Sequence, residues 1–166
     1  MSGIIRNLLT LISALAMRHR AGPWATVHKH FWVTPFDCGT RVLKSDKYLQ
    51  IAESAQLDFL VRTGLLGTLL RKGHKFVNTS QLVVFLKPVA MFKRVRIETA
   101  ILFADDRCAY FSHVLFLEDQ RHGQILVKMK FKKDGRTVPP GSVFGECARQ
   151  KPACVEAWDR TLEHLS

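Results

Sequence analysis

Residues 37–73 read DCGTRVLKSDKYLQIAESAQLDFLVRTGLLGTLLRKG, and this stretch decides the fold. A polar loop leads into a mostly apolar helix from Asp46 to about Thr63, for which Ser45 is the predicted N-cap. Because apolar residues occupy more than one side of this helix, we expect it to be buried inside a curved sheet. Gly64 predicts the C-terminal end of the helix, and residues 65–70 predict a further short helical turn.

Alternating apolar and polar residues predict strands on both sides of this helix. The first strand is predicted at residues 25–34, with Val27 and Phe31 on one face and His28 and His30 on the other. Four more are predicted after the helix, at residues 76–86, 93–103, 108–117 and 124–132. Their short connections favour antiparallel hairpins, so the chain is predicted to be an α+β domain. Residues 141–166 are predicted to be helical and to cover an edge or end of the sheet.

The length of 166 residues suits one domain with a real core, and the apolar fraction of 47% is that of a globular protein. The formal net charge of +11 favours an anionic partner: nucleic acid, an anionic membrane surface or a phosphate-bearing ligand. A charge that only increases solubility is the alternative. The lysine-rich segment at residues 128–133 lacks interleaved exposed aromatic residues, which makes nucleic acid the weakest of the three partners.

Residues 2–20 form a separate amphipathic unit, predicted as an N-terminal helix within residues 1–22 and followed by a single domain at residues 23–166. The apolar part is too short to cross a bilayer, so peripheral contact of residues 2–20 with a membrane is one interpretation. A signal peptide cleaved near Ala14-Leu15-Ala16 is a second. Packing against the domain or against another subunit is a third.

The sequence contains no motif that indicates a cofactor or a metal. The four cysteines (Cys38, Cys108, Cys147 and Cys154) form no C-x-x-C pair, which predicts free thiols in a reducing compartment. His28 and His30 share a strand face, but no acidic third ligand accompanies them.

The stretch that begins at Asp37 resembles bacterial thioesterase-like proteins of the hotdog superfamily, related to the 4-hydroxybenzoyl-CoA thioesterase group. In those proteins the loop reads D-x-D-x-x-x-H-M-N-N-x-x-Y-L, and the helix carries an acidic residue and ends near R-T-G-L-L. Tyr48-Leu49, Glu53 and residues 62–66 match, whereas Val42-Leu43-Lys44-Ser45 stands in place of H-M-N-N. The resemblance implies the hotdog fold, in which a curved antiparallel sheet of about five strands wraps a long central helix, here with N- and C-terminal helices added.

The resemblance also implies a cytoplasmic acyl-CoA thioesterase that cleaves a fatty or aromatic acyl-CoA, with or without peripheral attachment to the inner membrane face. Such proteins are homodimers or homotetramers, often joined sheet edge to sheet edge, with the site between subunits beside the long helix. Thioester hydrolysis needs a carboxylate as base or nucleophile and N–H groups that stabilise the oxyanion. The acyl chain is expected in an apolar slot between the helix and the sheet. The alternative is a non-catalytic hotdog protein that binds acyl groups or a protein partner at a membrane surface.

Two carboxylates are the catalytic candidates, and each has a structural alternative. Asp37 matches the loop carboxylate when a one-residue gap is allowed, and Cys38 takes that position without the gap; a turn-forming Asp is the alternative. Glu53 is expected to be a partly buried general base, or else a structural carboxylate paired with one of three strand residues, Arg94, Arg96 or His113. The predicted substrate-binding residues are Tyr48, Lys44, Ser45 and Asp46, of which Lys44 and Asp46 also fit a solvated loop charge and a first-turn helix residue.

Overall fold

The computed structural model describes residues 10, 12, 21–145 and 150–165. The strands are β1 (Val27–Trp32), β2 (Lys75–Phe85), β3 (Arg94–Ala104), β4 (Ala109–Leu117), β5 (Gln120–Lys133) and β6 (Arg136–Val138). The helices are α1 (Ser45–Arg62), α2 (Leu65–Arg71), α3 (Gly141–Phe144) and α4 (Ala153–Glu163), with a 3-10 turn at Pro35–Asp37. The amphipathic helix predicted at residues 2–20 lies outside the described residues, apart from Thr10 and Ile12, and so does Cys147.

The strands form one antiparallel sheet in the order β1-β3-β4-β5-β2, and β6 pairs with the end of β5. Strands β1 and β2 are therefore the two edges, and β2 reaches its place beside β5 only after the chain has passed through α1 and α2. Helix α1 packs against the inner face through contacts with β1, β3 and β5. The hotdog arrangement, a central helix wrapped by a curved antiparallel sheet, is confirmed.

Helix α1 buries the side that faces the sheet. Ala52 and Phe59 are fully buried, and the Phe59 ring makes an edge contact with Phe111 of β4 at 5.6 Å between ring centroids. Small residues at this contact let the helix approach the strands closely. Glu53 is exposed, whereas the other residues of α1 from Lys47 to Arg62 are buried or half-buried.

The ends of α1 agree with the predicted boundaries to within one residue. The predicted N-cap is wrong by one position: Lys44 is the N-cap residue, without a side-chain capping hydrogen bond, and Ser45 is the first helical residue. Gly64 ends the helix as predicted, since its φ of 74° lies in the left-handed region that favours glycine.

Two strand predictions need correction. Strand β5 begins at Gln120 rather than residue 124, and the chain does not leave the sheet at Asp134-Gly135. These two residues instead form a tight turn, with φ values of 48° and 79°, that returns the chain as β6.

The C-terminal helix α4 covers the outer face of the sheet rather than an edge or end. Its Val155 and Trp158 pack against Tyr110 and Leu126. The Asp159 carboxylate of α4 accepts a hydrogen bond from the Tyr110 hydroxyl at 2.6 Å and pairs with Lys128 and Lys151, both at 2.7 Å. Burial and the neighbouring Asp159 together raise the pKa of Tyr110. Neutral Tyr110 therefore remains a hydrogen-bond donor that fixes α4 on the sheet.

Candidate functional site

An apolar cleft of about 350 Å³ opens at the N-terminal end of α1. One wall comes from the loop before α1 and from its first turn, and the other comes from the end of β2 and the segment that follows it. The lining residues are Val42, Leu43, Ser45, Tyr48, Phe85, Leu86, Lys87 and Pro88. The cleft thus combines an apolar lining, one cationic side chain and a helix N-terminus.

Tyr48 forms the floor of this cleft. Its ring is buried and packs edge-on against Phe85 of β2, with 4.9 Å between ring centroids. On its other side the ring lies over Gly123 of β5, where an added Cβ would be 3.0 Å from Tyr48 Cε1 and 3.1 Å from the Val84 carbonyl oxygen. Gly123 is therefore what allows Tyr48 to lie flat against the sheet.

We expect Gly123→Ala to lower the free energy of unfolding by about 1 to 3 kcal/mol, because the added methyl overpacks the site against backbone and ring atoms. The Tyr48 ring should move toward the cleft and reduce its volume. Urea unfolding measures the first effect, and the near-ultraviolet circular dichroism of the tyrosine region reports the second. A loss of less than about 0.5 kcal/mol with an unchanged spectrum would contradict close packing here, because an uncrowded surface substitution costs no more than about that.

Asp37 is completely buried at the end of the 3-10 turn. Its carboxylate Oδ2 accepts hydrogen bonds from the Thr34 backbone N–H at 3.0 Å and from the Thr34 hydroxyl at 2.6 Å. Its backbone oxygen accepts from the N–H of Lys44 at 3.0 Å, which ties the turn to the start of α1. This geometry is that of a turn-forming residue, and it leaves Oδ2 engaged within the protein.

Glu53 is exposed on α1, so the expectation that it is partly buried is wrong for the single chain. Among the described residues its carboxylate has no ion-pair partner, and two of the three proposed partners are engaged elsewhere. Arg96 pairs with Glu98 and Asp119, and buried His113 bonds to Thr99. Three residues further along the helix, Gln56 forms two amide hydrogen bonds with Asn78 of β2, at 3.1 and 3.3 Å. Glu53 therefore lies on the part of α1 that runs beside the β2 edge.

The predicted substrate-binding residues gather at the first turn of α1. Lys44, Ser45 and Asp46 are all exposed, and Asp46 lies 3.9 Å from Lys47 as the acidic residue of the first turn. The first N–H groups of any helix lack intrahelical acceptors and carry partial positive charge. Beside the cleft they can receive a developing negative charge on a ligand oxygen.

Buried polar groups inside the fold were missed by the sequence analysis. Lys29 of β1 points to the inner face, where its Nζ lies 3.0 Å from the Asp58 carboxylate of α1. The available signal was position, since Lys29 falls between Val27 and Phe31 in the alternation that identified the inward face. His113 on β4 is likewise fully buried.

His28, one of the two exposed histidines of β1, contacts an acidic residue. His28 Nδ1 lies 3.4 Å from Glu98 on the neighbouring strand. Within residues 21–145 and 150–165, no three His, Cys, Asp or Glu side chains are grouped so that they could hold a metal ion. In the same ranges, no helix combines the length and apolar character needed to span a membrane.

A family model described as the thioesterase-like superfamily matches residues 37–144. No protein with a curated description matches the sequence. A probable thioesterase from Bartonella henselae superposes with a TM-score of 0.63 at 20% identity, over 69% of this chain and 98% of that chain. A Staphylococcus aureus protein solved in complex with CoA gives 0.65 at 14% identity, over 81% and 94%. A 1,4-dihydroxy-2-naphthoyl-CoA thioesterase from Synechocystis gives 0.60 at 13% identity, over 72% and 96%. With a family match that spans the loop, α1 and the sheet up to α3, this chain belongs to the thioesterase-like superfamily.

Proposed function

We propose that the protein hydrolyses the thioester of a fatty or aromatic acyl-CoA. The observation that carries this proposal is the apolar cleft at the N-terminus of α1, in a chain that belongs to the thioesterase-like superfamily. The free thiols Cys38 and Cys108 fit a reducing compartment, and we place the reaction in the cytoplasm.

The cleft supplies binding and electrostatic stabilisation. Its apolar lining, from Val42 to Phe85, would hold the acyl group next to Tyr48. The thioester carbonyl would then face the first-turn N–H groups near Ser45 and Asp46, which stabilise the oxyanion that forms when the carbonyl is attacked. Lys44 and Lys87 are exposed at the mouth and would attract the phosphates of CoA.

The proposed base is Glu53, with Asp37 in a positioning role. Glu53 is exposed and could activate a water or attack the carbonyl directly, whereas the Oδ2 of Asp37 is occupied by Thr34. Asp37 would act through the loop, by holding the start of α1 in place. Glu53 lies eight positions after Ser45 in the helix, which is about 12 Å at 1.5 Å per residue. One chain cannot bring both groups to the same carbonyl at hydrogen-bonding distance, so two subunits would complete the site.

The β2 edge supports such a dimer. This edge strand of 11 residues exposes Val77, Leu82, Val84 and Phe85, and its Asn78 is hydrogen-bonded to Gln56 of α1. An unpaired apolar edge favours pairing with another strand. Pairing of two β2 edges would cover these side chains and bring Glu53 of one subunit toward the other, so we propose a homodimer that can assemble further into a tetramer.

Glu53→Gln should lower kcat for acyl-CoA hydrolysis by about 100-fold and leave KM nearly unchanged, because a positioned base acts mainly on the chemical step. Release of free CoA is measured with a thiol reagent over a panel of aliphatic and aromatic acyl-CoAs. Glu156 is an exposed residue of α4, and Glu156→Gln is the matched control that should retain full activity. Asp37→Asn should lower kcat together with thermal stability, as expected for a positioning residue.

Two results would decide against this mechanism. Full activity in Glu53→Gln would remove Glu53 as the base. Saturable acyl-CoA binding without turnover in the unaltered chain would favour the alternative, a non-catalytic acyl-binding protein, for which the replacement of H-M-N-N by residues 42–45 is the supporting observation. Sedimentation equilibrium of the same samples tests the dimer.

A further inference from the structure

Three large aromatic side chains are exposed at one end of the sheet. The exposed fractions are 76% for Phe36, 68% for Phe92 and 64% for Trp32. Backbone hydrogen bonds join the segments that carry them, from Val33 N–H to the Lys93 oxygen and from Phe92 N–H to the Val33 oxygen, both at 2.9 Å. Folding therefore gathers these rings in one region, although they lie up to 60 residues apart in the sequence.

The backbone at Phe92 has a strained conformation, and its side chain is exposed to solvent. Its φ is 63°, in the left-handed region that large side chains rarely adopt. Such a conformation costs of order 1 kcal/mol or more and persists where something other than local stability selects it. A glycine would adopt this turn without strain, yet the chain places a solvent-exposed phenyl ring there.

Cations surround these rings. Trp32 is directly opposite Arg94 in the β1–β3 pairing, Lys93 follows Phe92, and the Arg41 oxygen accepts from the N–H of Met91. All three cationic side chains are exposed, and none is in an ion pair with an acid in the described part of the chain. The only acidic residue of the segments 30–44 and 86–94 is Asp37, which is buried. The surface that these two segments form is thus apolar and positively charged, and Asp119 of the neighbouring β4–β5 turn is paired with Arg96.

We propose that this aromatic-basic surface, formed by Trp32, Phe36, Phe92, Arg41, Lys93 and Arg94, docks the protein on an anionic phospholipid bilayer. Separate aromatic rings that project from a turn and a strand end suit insertion among headgroups, where one side of a ring meets acyl chains. The arginines and the lysine would pair with lipid phosphates and gain from the negative surface potential. None of these six residues lines the cleft, so the proposal does not depend on hydrolysis.

The test uses the full chain and vesicles of phosphatidylcholine, with or without about 30 mole percent of the anionic lipid phosphatidylglycerol. We expect sedimentation with the anionic vesicles only, weakened by salt. The triple variant Trp32→Thr, Phe36→Ser, Phe92→Gly should bind at least about 100-fold more weakly, since each buried ring contributes about tenfold. Arg94→Ser alone should weaken binding about fivefold. The Phe92→Gly change relieves the strained turn, which protects the fold of the triple variant.

Trp32 gives a direct readout of insertion. Of the three tryptophans, Trp158 is buried and Trp24 is half-buried, so a blue shift on addition of anionic vesicles should come from Trp32 and vanish in Trp32→Phe. Leu70→Ser, at an exposed leucine of α2, is the matched control and should bind like the unaltered chain. Glu53→Gln should also bind normally, which separates this proposal from the catalytic one.

Three results would overturn the proposal. The first is absence of binding to anionic vesicles. The second is equal binding by the triple variant, which would place the contact elsewhere in the chain. The third is a loss of self-association in the triple variant without a change in vesicle binding, which would assign this surface to a second copy of the chain.

Discussion

Asp58→Ala should lower the free energy of unfolding by about 3 to 5 kcal/mol, the usual result of removing one partner from a buried ion pair. Asp58 is only 2% exposed, and Lys29 lies against it at 3.0 Å from the edge strand β1. Arg62, at 3.6 Å from the second carboxylate oxygen, is too distant for a hydrogen bond and donates instead to the His28 oxygen. Removing the carboxylate takes the Asp58 ion pair away from the half-buried Lys29 ammonium group.

The cost of desolvating Lys29 and Asp58 indicates which substitution should preserve stability better than Asp58→Ala. Burial lowers the pKa of Lys29, and the attraction of Asp58 opposes this only in part. A pair that does not fully offset its own desolvation can be replaced by apolar residues with little loss. The double variant Lys29→Met, Asp58→Leu should therefore be within about 1 kcal/mol of the unaltered protein, and urea unfolding compares it directly with Asp58→Ala. If Asp58→Ala lowers the free energy of unfolding by less than about 1 kcal/mol, the Lys29 ammonium group is hydrated and the ion pair contributes little to stability.

Acidification from pH 8 to pH 4 should lower the free energy of unfolding by about 3 kcal/mol through His113 alone. Burial lowers the pKa of this histidine to about 3, against 6.5 for an unperturbed histidine. Between these two pKa values the unfolded chain carries a proton on the imidazole that the folded chain does not. Protons therefore favour the unfolded chain in this window, and stability falls as the pH decreases from about 6.5 toward 3.

The buried site explains why His113 stays neutral. Nδ1 is 3.0 Å from the Thr99 hydroxyl of β3, whereas Nε2 is buried without a hydrogen-bond partner in the described residues. The ring stacks on Phe111, with an angle of 7° between the ring planes. Protonation of the ring would place a positive charge among apolar groups, where Nε2 has no acceptor in the described residues.

The double variant Thr99→Val, His113→Leu is the matched control for this prediction. It removes both polar partners together, so no donor or acceptor is left unpaired. Between pH 8 and pH 4 the free energy of unfolding of this variant should fall by about 3 kcal/mol less than that of the unaltered protein. The other titrating groups are common to both proteins, so the difference reports His113. Asp159, whose pKa is lowered by its lysine and tyrosine hydrogen bonds despite burial, acts mainly below about pH 4 and cancels in this comparison. Parallel pH curves for the two proteins would refute the role of His113.

Local patterns in the sequence were sufficient for the architecture. The apolar run of α1, the left-handed stop at Gly64 and the strict alternation of β3 each follow from backbone geometry that neighbouring residues specify. The three-residue strand β6 escaped prediction because it is enclosed between Asp134-Gly135 and Pro139-Pro140, which together read as the end of the sheet.

The candidate site was harder to predict than the fold, because some of its contacts join residues that are distant in the sequence. Asp37 and Thr34 are close in sequence, and a turn-forming role was among the predicted alternatives. By contrast, Lys29 and Asp58 lie 29 positions apart and meet only when β1 crosses the end of α1. The exposure of Glu53 was mispredicted because its burial was inferred from the apolar character of α1 as a whole, whereas this position is exposed on a helix whose other residues from Lys47 to Arg62 are buried or half-buried.

The two edge strands of the sheet differ in length, and this difference affects how several copies of the chain can assemble. Strand β1 offers six residues and β2 offers 11, so head-to-tail pairing of unlike edges would leave much of each β2 uncovered. Two like β2 edges related by a two-fold axis match in length, and their pairing leaves no β2 edge exposed for a further copy. The ladder irregularity between Asn78 and Ser80 further restricts the registers in which a neighbour can add. The unequal edge lengths and the irregular ladder therefore disfavour continued growth into filaments, although the β2 edge is rich in valine and leucine.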